Sequence, residues 1–250
     1  MNKNQTIEKL NNMRINAMAS MHQNNLKNNL YSNLTADEYL DLLTDHEWEE
    51  REQKKLNRLL QHADFRQQAT INDVDFTSPR NLEKNMFNRL TTLDFIKKSE
   101  NIIVTGASGV GKSYLTQALG QQACLVGFKT KYWLTSRLFN HLKMAKVDGT
   151  YSRELNKIVK MDLLILDDFG LQAFDNHARE ALLDIIEDRF NKNATIVASQ
   201  IPVSKWKEII GESTIADAIL DRLVNSSHRI DLKGESLRKQ KLNAINQNNN

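Results

Sequence analysis

One octapeptide, Gly106-Ala107-Ser108-Gly109-Val110-Gly111-Lys112-Ser113, constrains this chain more than any other stretch. It follows the apolar run Ile102-Ile103-Val104 and leads into a helical pattern. Glycines at these spacings let the backbone wrap closely, so that successive N–H groups point at one anion. The N-terminus of the following helix adds a dipole that favours negative charge. Such a loop works between a strand and a helix, so an α/β fold is expected. Its expected ligand is ATP. Residues 106–113 would cradle the phosphates, Lys112 would reach the β- and γ-phosphates, and Ser113 would ligate Mg²⁺.

The chain beyond Asn101 follows the same logic. Strands are expected near 101–105, 129–134, 162–167, 194–199 and 228–233. Helices are expected near 112–126, 136–147, 151–160, 176–191 and 214–225. Strand–helix alternation predicts a mainly parallel sheet between helices. Leu163 to Leu166 and Ala194 to Ala198 are almost wholly apolar, as central strands should be. The first of these runs ends in Asp167-Asp168, the first carboxylate falling 55 residues after Lys112. Ligands of open α/β sheets bind at that carboxyl edge. Asp167 is expected to hold Mg²⁺, directly or through water. Asp168 is expected to orient the attacking water or act as a base.

Residues 1–66 carry no nucleotide motif and read as helical, with Ile7, Leu10, Ala17 and Met21 at roughly helical spacing. A second helix opens at Thr35 with Glu38 three residues on, a capping-box pattern, and continues through Leu40, Leu43, Trp48, Leu56 and Leu59. Trp48 lies among alternating charges, where an aromatic can anchor a partner or pack on its own domain. The expected division is a partner-binding helical domain at 1–66, a connector at 67–78, a nucleotide-binding core at 79–245 and a disordered polar tail at 246–250. Pro79 is expected in the first turn of a short helix capped by Ser78.

Net charge is only +3, but its distribution is uneven. Residues 128–160 hold eight Lys or Arg against Asp148 and Glu154, a net +6. A basic block on a nearly neutral chain is a candidate phosphate-contacting surface. Cys124 is the only cysteine, so no intrachain disulfide can form. The N-terminus lacks an apolar leader pattern, and no apolar run is long enough to span a bilayer. The expected location is cytoplasmic, with no membrane partner.

At these residues the chain resembles AAA+ ATPases of the initiator and helicase-loader branch, and most of all IstB-type transposition helpers. The resemblance runs over nearly the whole chain. It includes Leu42-Leu43-Thr44-Asp45-His46-Glu47-Trp48, the phosphate loop, Leu163 to Gly170 and Ser199-Gln200-Ile201-Pro202. It also includes Ile215 to Leu223 and Gly234-Glu235-Ser236-Leu237-Arg238-Lys239. It implies an AAA+ core behind a small N-terminal helical domain. It makes Gln200, or its neighbour Ser199, a polar sensor beside the γ-phosphate. Arg222 becomes an arginine finger given to the ATP of a neighbouring subunit, a role suited to a permanently charged, forked donor. Arg238 becomes a C-terminal sensor that also contacts the nucleotide.

The activity implied is slow ATP hydrolysis used as an assembly switch. The protein would oligomerise on duplex DNA, share active sites between subunits, and recruit or activate its cognate transposase. The alternative within the same branch is a replicative helicase loader. A small-molecule kinase would need a lid rich in phosphate-binding arginines, and the chain shows an intersubunit arginine pattern instead. Two features depart from the resemblance. Many AAA+ motors have Glu where this chain has Asp168, and the residues after 233 are too few for a full C-terminal lid.

Overall fold

The computed structural model describes residues 3–28, 33–225, 227–237 and 239. The expected tail at 246–250 and the candidate sensor Arg238 lie outside them. The elements in order are α1 (Lys3–Asn12), α2 (Asn16–Asn28), α3 (Ala36–Ala63), α4 (Lys84–Thr91), α5 (Asp94–Lys97), β1 (Asn101–Gly106) and α6 (Lys112–Leu125). There follow β2 (Thr130–Leu134), α7 (Thr135–Val147), α8 (Tyr151–Val159), β3 (Leu163–Asp167), α9 (Asn176–Arg189) and β4 (Ala194–Ser199). The last are α10 (Trp206–Ile210), α11 (Ser213–Val224) and β5 (Ser227–Leu232). Each strand and helix expected beyond Asn101 forms, within two residues at either end.

The chain divides into two compact units, Met1–Arg58 and Leu59–Asn250. In the first, the capping box expected at Thr35 forms. The Glu38 carboxylate accepts from Thr35 N–H at 2.7 Å, and Glu38 N–H donates to the Thr35 hydroxyl at 3.3 Å. Leu43 is buried, and one turn on, Glu47 accepts the N–H groups of Ala17 and Met18 at 2.9 and 3.1 Å. A carboxylate there meets the positive end of the α2 dipole. Leu40 and Trp48 of the same helix are 58% and 68% exposed.

The second unit holds a five-stranded sheet in the order β2-β3-β4-β1-β5, with every pairing parallel. Side chains alternate across a strand, so each buried strand feeds two cores. Ile102, Val104, Leu163, Ile165 and Ile196 point to the layer that contains Leu115 and Leu119 of α6. Ile103, Leu164, Leu166 and Val197 point to the layer of α7, α9 and α11. This explains why β3 and β4 read as unbroken apolar runs: they have no solvent face.

The short helix expected at Pro79 does not start there. Helix α4 begins at Lys84 with Glu83 as its N-cap, and Asn81 between them is left-handed at φ 57°. Ser78 does not cap it, because its hydroxyl donates to the Asp75 carboxylate, which also takes Thr77 N–H at 2.7 Å. The Arg80 carbonyl accepts Lys233 N–H at 3.0 Å. The backbone at 78–80 is thus committed to a turn and to the exit of β5. The stretch at 67–78 lies against the core rather than free of it, with Ala69 and Val74 buried there.

Candidate nucleotide site

Strand β1 delivers the phosphate loop to the carboxyl edge of the sheet, and α6 starts at Lys112, two residues after Val110 is buried beneath the loop. Two glycines have no alternative. Gly109 (φ 86°) and Gly111 (φ 99°) are left-handed, and a Cβ on either would strike a neighbour. That neighbour is Ser236 for Gly109 and the Arg80 guanidinium for Gly111. The loop is therefore wrapped tightly enough that only backbone fits, which leaves its N–H groups for a phosphate. Lys112 donates to the carbonyls of Gly106 and Ala107, both at 2.8 Å, which holds its ammonium across the mouth of the loop.

A cavity of about 640 Å³ opens over this loop. It is lined by Ser108, Gly109, Gly111, Lys112 and Ser113, and by Asp168 and Gln200 from the ends of β3 and β4. The structure thus brings together loop, lysine, hydroxyl, carboxylate and amide from segments up to about 90 residues apart. Gln200 lines the cavity, whereas the neighbouring Ser199 is buried and occupied. Its hydroxyl donates to the Phe169 carbonyl at 2.7 Å and accepts Ile201 N–H at 3.0 Å. Of the pair Gln200 and Ser199, only Gln200 has a side chain in position to meet a ligand.

Asp167 is buried below this edge. One carboxylate oxygen accepts the Tyr132 hydroxyl at 2.7 Å and the other accepts Asp168 N–H at 2.8 Å. Burial, with the adjacent carboxylate, pushes the Tyr132 phenol above its ordinary range, so it stays a donor. Asp168 itself is left-handed at φ 54°, a turn that directs its side chain into the cavity while Phe169 returns to the core.

Of the expected Mg²⁺ ligands, Ser113 lines the cavity and Asp167 lies buried next to Asp168, which lines it. Among the described residues no cluster of three or more His, Cys, Asp or Glu could cage a metal. Magnesium needs no such cage, because it keeps waters and shares phosphate oxygens with one or two protein groups. Ser113 and Asp167 would hold it here, and it would neutralise charge on the β- and γ-phosphates.

Other residues join the cavity that the sequence did not point to as nucleotide-site residues: Arg66, Gln67, Asp73, Asp75, Ser78, Arg80, Tyr114 and Leu237. Arg80 is 3% exposed and braces the loop by donating to the Val110 carbonyl at 3.0 Å. Burial lowers its guanidinium, opposed by the nearby Asp75. Leu237 N–H donates to the Gly109 carbonyl at 3.0 Å, so the segment after β5 lies on the loop. A lone Arg after Ser-Pro was the only sequence signal for Arg80.

Arg222 is not part of this cavity. Asn101, at the amino end of β1, donates to the Arg222 carbonyl at 3.3 Å, while the phosphate loop leaves the other end of β1. At ~3.3 Å per residue the strand separates them by about 16 Å, more than an arginine side chain spans. Its guanidinium pairs with Glu187 at 3.1 Å and lies 5.9 Å from the Phe190 ring centroid.

The basic block is largely engaged within the chain. Lys143 pairs with Asp175 at 3.3 Å, Lys146 with Glu180 at 2.7 Å, and Arg153 and Lys157 both reach Glu154. No helix among the described residues is long and apolar enough to cross a membrane.

Comparison with known proteins identifies the family and the fold. A relative from Sinorhizobium fredii, the insertion sequence ATP-binding protein y4pL, is 45% identical over 234 residues, which is 94% of this chain and 96% of the relative. The ATP-binding protein of insertion sequence IS1162 from Pseudomonas fluorescens is 37% identical over 200 residues, 80% of this chain and 87% of the relative. Among solved structures, DnaI superposes with a TM-score of 0.57 at 24% identity, over 66% of this chain and 91% of DnaI. The DnaC helicase loader gives 0.52 at 21%, over 64% and 95%. These two share the fold, a P-loop AAA+ core. The profile of the IstB-like ATP binding proteins matches residues 8–244, and with the phosphate loop in place this chain belongs to that family.

Proposed function

We propose that this protein is an ATP-dependent transposition helper. It acts in the cytoplasm, oligomerises on duplex DNA and recruits or activates its cognate transposase, with slow ATP hydrolysis as the switch. The observation that carries the reading is the convergence of Lys112, Ser113, Asp168 and Gln200 on one cavity. Lys112 compensates the phosphate charge and Ser113, with Asp167, holds Mg²⁺. Asp168 positions the water or takes its proton, and Gln200 bonds the γ-phosphate or that water. Arg238 contacts the nucleotide as the C-terminal sensor. The insertion-sequence names of the relatives favour a transposase as partner. Arg222 lies too far from its own cavity to serve it, which supports a role toward a neighbouring subunit's ATP. The test is ATP-dependent assembly on duplex DNA, read by sedimentation, with co-purification of a cognate transposase. Assembly with a replicative helicase instead would make the protein a helicase loader.

DNA contact is assigned to the block at 128–160. Its ion pairs do not preclude this, since exposed pairs contribute about 1 kcal/mol or less and phosphates can compete for the cations. Changing Lys143, Lys146 and Arg153 together to Gln is expected to weaken binding to unrelated duplexes alike. The slope of log affinity against log salt should fall by about 0.9 for each phosphate that is no longer neutralised. An unchanged slope would place the DNA surface elsewhere.

Partner recruitment is assigned to the N-terminal helical domain, where α3 presents Leu40 and Trp48 to solvent two turns apart. Phe65 and Arg66 contact the ATPase core, so the informative truncation begins at Leu59, where the compact units divide. The shortened protein is expected to bind and hydrolyse ATP yet fail to pull down the transposase. Trp48→Ala should show a milder version of the defect, with an unchanged circular dichroism spectrum. Full transposase binding by the shortened protein would move the recruiting surface to the ATPase core.

A further inference from the structure

The Asp167 carboxylate is held by two donors, and one of them has no part in the reading above. Asp168 N–H occupies one oxygen from within the same strand end. The other oxygen takes the hydroxyl of Tyr132, which comes from the neighbouring strand β2, where Tyr132 registers against Ile165. Both side chains are buried, at 3% and 1% exposure, so this bond faces little competition from bulk water. The ring is itself fixed. Phe65 lies against it with centroids 6.5 Å apart, and the Arg66 side chain is within reach of its hydroxyl. The backbone leading to those two residues is pinned by Arg66 and Gln67 N–H, which donate to Gln117 of α6 at 2.8 and 3.2 Å. Arg66 also lines the nucleotide cavity.

We propose that Tyr132 is the positioning residue of the metal carboxylate: its hydroxyl sets the rotamer in which Asp167 faces the Mg²⁺ shell of bound ATP. A carboxylate with each oxygen already accepting one hydrogen bond cannot turn freely and presents its remaining lone pairs in a fixed direction. Outer partners of this kind commonly decide metal affinity without touching the metal. The inference rests on the nucleotide-site reading of the cavity, and its test separates the two.

Full-length protein is saturated with a non-hydrolysable ATP analogue, and Mn²⁺ is titrated as a paramagnetic probe of the metal position. Tyr132→Phe keeps the ring against Phe65 and removes only the hydroxyl. It is expected to leave analogue affinity in EDTA within about twofold and to weaken Mn²⁺ binding by about tenfold, the lower end of losses seen for outer-shell partners. In an Asp167→Ala background, Tyr132→Phe should add no further loss. A folded Tyr132→Phe protein with wild-type Mn²⁺ affinity overturns the proposal, and so does an equal further loss in the Asp167→Ala background. A wild-type protein that forms no Mn²⁺–nucleotide complex overturns the nucleotide reading as well.

Discussion

Asp168→Asn is expected to bind Mg-ATP within about twofold of the wild type and to hydrolyse it 10²- to 10⁴-fold more slowly, the usual contribution of a positioned base. Asp168 lines the cavity beside Lys112 and Ser113 but makes no contact that holds the phosphate loop together. The amide keeps the shape of the side chain and loses the ability to accept a proton. Lys112→Ala should fail earlier, at binding. Its ammonium, placed by the Gly106 and Ala107 carbonyls, is the cation that compensates the phosphates. Loss of one partner from such a charge pair costs roughly 2–5 kcal/mol, so affinity should drop by about thirtyfold or more. Fluorescent-nucleotide titration and phosphate release, measured on both variants, check this. Equal loss of binding in the two variants would remove the distinction drawn between them.

The second large effect concerns Arg222. Arg222→Ala is expected to bind ATP normally, to hydrolyse it about 10³-fold or more slowly, and to assemble poorly, as arginine fingers supply rate factors of that size. Its pairing with Glu187 is partly exposed, so breaking it should cost about 1 kcal/mol or less. An unchanged circular dichroism spectrum of the variant would separate a collapse of activity from unfolding. Mixing Arg222→Ala with Lys112→Ala should restore part of the activity, because some interfaces pair an intact loop with an intact finger. Co-assembly without any rescue at high protein concentration would give Arg222 a structural role instead.

The nucleotide site was legible in the sequence wherever its parts are contiguous. Residues 106–113 announce themselves because a phosphate cradle is made from one turn of backbone with fixed glycine positions. Asp167-Asp168 announce themselves because an apolar run ending in two acids has few other uses. Strands β3 and β4 were readable for a related reason: buried parallel strands are apolar on both faces, and these two are buried at every position. The turn at Pro79 misled because the local pattern, Ser before Pro, is a helix-start signal. What decides that segment is its use of Asp75 and Lys233, one of them more than 150 residues away. The choice between Ser199 and Gln200 was equally out of reach, since both are polar and adjacent, and only the Phe169 carbonyl claims one of them.

By itself, then, the sequence determined the α/β class, the phosphate loop, the acidic strand end and the helical N-terminal segment, because each is encoded by residues close together in the chain. The tertiary structure alone decided what surrounds them. It placed Arg80 under Gly111, Tyr132 on Asp167 and Leu237 over Gly109, and it set Arg222 at the far end of β1. Those placements arise from packing and hydrogen bonds between residues 30 or more positions apart. No local pattern carries that information, because any buried donor on a neighbouring element could satisfy the same acceptor until the fold selects one.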